Sequence, residues 1–89
     1  MFTRYIDKFE VEEFVTEYLD KKVGSNRIVY LNILGPIEGD DLSISIWIND
    51  LTKNEAADII HELSEIFEKQ NLRVPISVSN ENGRSVFSQ

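Results

Sequence analysis

The chain has 89 residues, a mass of 10.3 kDa and 42% hydrophobic residues, enough for one small domain and too short for two. Sixteen acidic against nine basic side chains give a formal net charge of −7 and an isoelectric point near 4.5, which sets aside a basic nucleic-acid footprint. The lack of cysteine removes disulfide staples and thiolate metal sites.

The first element in chain order is a helix over Lys8–Lys22. Asp7 suits its N-cap, Glu10 closes a capping box three residues on, and Ile6 with Val11 forms a hydrophobic staple. Val11, Phe14, Val15, Tyr18 and Leu19 recur at helical spacing and make one apolar face. Lys21 and Lys22 meet the negative end of the helix dipole, and Gly24 stops the helix. A strand follows over Arg27–Leu34. Its run Ile28-Val29-Tyr30-Leu31 has β-formers on both faces, which predicts a central or doubly covered strand.

Gly35-Pro36 breaks that strand, and the connection Gly35–Asp41 is short enough to join antiparallel neighbours. The second strand, Leu42–Asn49, alternates cleanly. Leu42, Ile44, Ile46 and Ile48 point one way, and Ser43, Ser45, Trp47 and Asn49 the other. The second helix opens on a capping box of Thr52 and Glu55, with Asn71 as a left-handed stop. Its apolar face is Ala56, Ile59, Ile60, Leu63, Ile66 and Phe67. A third strand over Arg73–Ser79 contains Pro75, which cannot donate to a ladder and so marks an edge or a strand start. Asn82-Gly83 reads as a type I′ hairpin leading to a fourth strand, Arg84–Ser88, with Val78 opposite Phe87.

The order α-β-β-α-β-β predicts an α+β domain: a four-stranded, mainly antiparallel sheet with two helices packed on one face. The other face would present Trp47, Ser43 and Ser45 with some of Val29, Tyr30 and Leu31. That is too apolar to be left wholly wet.

Residues 1–8 carry no apolar signal-peptide core, and no window approaches the ~20 apolar residues of a membrane span. A cytoplasmic protein without membrane contact is the expectation. The only histidine, His61, lies on the polar side of the second helix between Asp58 and Glu65, where a solvent-facing role outweighs a catalytic pair. Glu38, Asp40 and Asp41 cluster in one loop, but without the spacing of a calcium loop. There is no nucleophile elbow and no phosphate-cradling glycine loop. No catalytic, cofactor-binding or metal residue is therefore assigned, and no cofactor is expected.

Acidic spacing is the remaining signal. Glu10, Glu13, Glu17 and Asp20 are spaced 3-4-3, and Glu55, Asp58, Glu62 and Glu65 repeat that spacing. At about 100° per residue each set forms a stripe opposite the apolar face or along its flank, about 15 Å long. Side-by-side helices would join the stripes into a ribbon of eight carboxylates. One reading is a solvated face on an acidic protein. The other is a non-enzymatic protein-binding module, an inhibitor or DNA mimic, that docks the ribbon on the basic surface of a nucleic-acid-binding protein. Such a module would not contact nucleic acid directly. Eleven Ile, seven Asn and two Ala suit an AT-rich source such as a phage or a low-GC bacterium. Trp47 is a candidate anchor in a partner or homodimer interface; its alternative is burial under Phe2 and Tyr5. Two further readings stand beside these: an assembly subunit using the apolar sheet face, and a small metal-assisted hydrolase using Glu38–Asp41 and His61.

Overall fold

The computed structural model describes residues 8–35 and 42–84. Helix α1 spans Lys8–Lys22, a 3₁₀ turn Ser25–Arg27 follows, and then strands β1 (Ile28–Leu34) and β2 (Ser43–Ile48). Helix α2 spans Lys53–Lys69 and strand β3 Ile76–Ser79. The domain is α+β, with the two helices over one face of a three-stranded sheet of order β1-β2-β3.

Helix α1 forms where the apolar stripe predicts it, burying Val11, Val15 and Leu19 and half-burying Phe14 and Tyr18. The expected cap at Asp7 and staple at Ile6 lie outside the described residues. At the other end the Leu19 carbonyl accepts from the N–H groups of Val23 and Gly24 at 2.8 and 3.2 Å. Gly24 then turns the chain at φ +94°, a value that favours glycine.

Strand β2 alternates as its sequence demands: Leu42, Ile44, Ile46 and Ile48 are fully buried. It is the central strand, pairing antiparallel with β1 and parallel with β3. Two expectations are corrected here. Among the described residues β1 is an edge strand, not a central one. Its apolar run looks two-sided because a bulge falls between Ile28 and Tyr30: Ile28 pairs with Ile48, but Tyr30 pairs with Trp47. The extra residue, Val29, lets Ile28 and Leu31 both face the core despite their odd spacing, and Val29 itself is exposed.

The predicted sheet of four mainly antiparallel strands is, in the described residues, a mixed sheet of three. After β2 the 17-residue α2 spans about 25 Å, enough to return the chain to the end of the sheet where β2 began. Strand β3 therefore runs parallel to β2, Ile44 beside Ile76 and Ile46 beside Val78. Pro75 stands just before β3 and its carbonyl accepts from Ile44 N–H, so the strand starts after proline.

The turn after β3 also differs in type. Gly83 N–H donates to Asn80 O and Asn80 N–H to Arg84 O, both at 2.9 Å, with Gly83 at φ +76°. This is a three-residue loop with a glycine bulge, not a two-residue type I′ turn, so Asn80 lies opposite Arg84. Of the expected fourth strand only Arg84 is described, and the expected Val78–Phe87 pair lies outside the described residues.

Helix α2 follows the sequence closely. Thr52 Oγ1 accepts from Glu55 N–H, and Glu55 Oε1 accepts from Thr52 N–H, both at 3.1 Å. At its end Asn71 takes φ +59°, Leu72 N–H reaches Phe67 O and Asn71 N–H reaches Glu68 O. These two bonds make a Schellman stop. The helices lie side by side and antiparallel. Phe14 meets Phe67 edge-on at 6.3 Å, Tyr18 bonds Glu62, and Lys22 reaches Asp58, so α1 positions ascend as α2 positions descend.

Candidate docking surface

The described strands bear no charged residue; their sequences are IVYLNIL, SISIWI and ISVS. The helices carry ten carboxylates against five lysines. Charge is therefore confined to the helical layer and the loops, and within that layer the two predicted stripes are treated very differently.

On α2 two of the acids, Glu55 and Glu62, are bound into the fold. Glu55 and Arg27 form a two-pronged pair, Nη1–Oε2 at 2.8 Å and Nη2–Oε1 at 2.9 Å. Arg27 also donates from Nε to Asn49 O at 3.1 Å and from Nη2 to Asp50 O at 2.8 Å. The hydrogen bond from Arg27, joined by donors at Thr52, holds the Glu55 carboxyl down to about 2. Glu62 accepts from the Tyr18 hydroxyl and from Lys22 Nζ at 3.3 Å, and these donors lower its pKa. The Tyr18 hydroxyl is pushed up, first by burial and then by its bond to Glu62. Lys22 also lies 3.7 Å from Asp58, and His61 lies 3.6 Å from Glu65.

On α1 the row is barer. Glu10 is half-buried, and Asp20 Oδ1 accepts from Ser25 N–H at 3.0 Å, closing the turn. Glu13 and Glu17 are exposed, as is Glu12 beside them, and none has a cation within ion-pair distance among the described residues. The antiparallel packing brings the stripes onto one layer. The sequence could not show that Lys22 and Arg27, read there as a helix-end cation and a strand start, each cross to α2. Those are contacts between residues 28 to 40 positions apart.

Trp47 lies half-buried on the outer sheet face. Its ring packs against Tyr30 with centroids 5.0 Å apart, and Gly83 lies beneath it so closely that an added Cβ would stand 2.7 Å from Cζ2. Phe2 and Tyr5, the covering residues considered from sequence, lie outside the described residues. The exposed large hydrophobics of the described residues are Phe9, Val29, Tyr30 and Leu34, three of them on β1. Phe9 carried a legible signal, since it stands off the apolar stripe of α1.

Two shallow grooves border these elements. One, about 310 Å³, lies under the end of α2 among Phe67, Leu72, Val74 and Pro75; the other, about 280 Å³, lies between α1 and β1 among Lys8, Phe9, Glu12, Asn32 and Ile33. His61 is well exposed on α2, and the Glu38–Asp41 loop it was considered with lies outside the described residues. Among the described residues no three His, Asp or Glu side chains are placed to hold a metal ion, and no helix is long and apolar enough to cross a membrane. In comparisons with known proteins, no family model, no curated protein and no solved structure matches the chain.

Proposed function

We propose that the protein is a non-enzymatic binding module that docks its acidic helical layer on a basic protein surface, such as that of a nucleic-acid-binding protein. The observation that carries this reading is the partition of charge: neutral strands beneath a helical layer with a twofold excess of carboxylates. A field of one sign steers an oppositely charged partner at long range and fixes its approach. The contact centres on Glu13 and Glu17, which are exposed and have no cation within ion-pair distance among the described residues. Asp20, Asp58 and Glu65 border it. Glu10 is half-buried, and Glu55 and Glu62 shape the layer from within, because their ion pairs with Arg27 and Lys22 already neutralise part of what α2 offers.

The test is capture of DNA-binding proteins from extract on the immobilised protein, at low and high salt, with the wild type and with Glu13→Lys/Glu17→Lys. Both positions are exposed, so charge reversal there leaves the core intact. Partners held by the wild type at low salt should be released at high salt and should not bind the double variant. Capture of the same proteins by both, or capture insensitive to salt, contradicts the proposal.

A further inference from the structure

We propose that a second copy of this chain pairs with β1, strand against strand and antiparallel, about a two-fold axis at Asn32. Strand β1 is an edge among the described residues, and seven residues of it carry neither charge nor proline. Such an edge lacks the lysine or proline with which proteins blunt strand pairing. Its one irregularity, the bulge at Val29, ends at Tyr30, and the register from Tyr30 to Leu34 is unbroken. Asn32 is the midpoint of that regular stretch.

A two-fold axis there makes the strand complementary to itself. On the outer face Tyr30 of one copy lies opposite Leu34 of the other, and the reverse, so two half-exposed apolar side chains cover each other. On the helix-covered face Leu31 lies opposite Ile33. Asn32 faces its own copy, where two amides can exchange hydrogen bonds.

Charge argues for a second copy over a basic partner at this edge. The edge strand itself is uncharged, so it offers a basic partner no attraction and a second copy no direct repulsion. The groove alongside β1 has two charged lining residues, Lys8 and Glu12, of opposite sign, and neither Glu13 nor Glu17 lines it. Edge pairing also sets both helical layers on the same side of one continuous sheet, which doubles the acidic surface. A contact through the five regular residues of one strand from each copy is that of a weak pair, so dissociation in the micromolar range is expected.

The chain has no cysteine, so single introduced thiols report the geometry directly. Facing residues of an antiparallel pair have Cα atoms about 4.5–5.5 Å apart, within the span a disulfide bridges. Under mild oxidation at about 100 µM, Asn32→Cys should form covalent dimers at least about tenfold faster than Ser77→Cys, an exposed site on β3. Sedimentation should show the wild type as a dimer at that concentration, and Leu34→Lys should weaken association at least about tenfold. A wild type that stays monomeric overturns the proposal. So does equal cross-linking at both sites, or dimerisation unchanged by Leu34→Lys.

Discussion

Arg27 joins three parts of the chain through one guanidinium: the β2–α2 connection through Asn49 and Asp50, the first turn of α2 through Glu55, and its own place beside β1. Glu55 in turn completes the capping box. Its carboxyl falls from an ordinary value of 4.5 to about 2. A depressed carboxyl stabilises the fold above its unfolded pKa, and that contribution disappears as pH falls through the folded value. Acid unfolding of the wild type should therefore gain a component between about pH 4.5 and pH 2 that Glu55→Gln lacks, read by circular dichroism. Arg27→Ala should cost about 1–2 kcal/mol at neutral pH, measured by denaturant unfolding. Gly83 is a second test at this scale. Its positive φ and its contact with Trp47 both exclude a Cβ. Gly83→Ala should cost about 1–3 kcal/mol and change the tryptophan fluorescence of the folded state.

At the scale of elements, what the sequence made legible followed from local chemistry. Thr52, Glu55 and Asn71 delimit α2 because caps and left-handed stops are read within a few residues. The alternation of β2 likewise fixed its buried face. The direction of β3 depends instead on where α2 returns the chain, and the status of β1 on a bulge that alternation alone does not reveal. The same limit applied to the surface. The 3-4-3 spacing of acids placed them on helices, but the cations that reach them come from 28 to 40 residues away. Asn71→Gly tests the element account: glycine takes positive φ without strain, so the variant should be more stable by about 0.5–1 kcal/mol in thermal or denaturant unfolding. Leu63→Ala, at a fully buried position of α2, should cost about 2–5 kcal/mol by the same measurement.

Across the whole molecule, a neutral sheet and an acidic helical layer divide the surface into two kinds of contact. We propose a basic partner for the layer and a second copy of the chain for the β1 edge. Ion pairs within the fold reserve Glu55 and Glu62 for stability. Among the described residues Glu13 and Glu17 belong to no such pair, and we propose them as the centre of a docking surface that salt would weaken. The most direct measurement is the affinity of a captured basic partner for the wild type and for Glu13→Lys/Glu17→Lys, determined by calorimetry from about 50 to 300 mM salt. The account predicts wild-type affinity that falls steeply with salt and at least about tenfold weaker binding by the variant at the low end. Equal affinities, unchanged across that range, would contradict it.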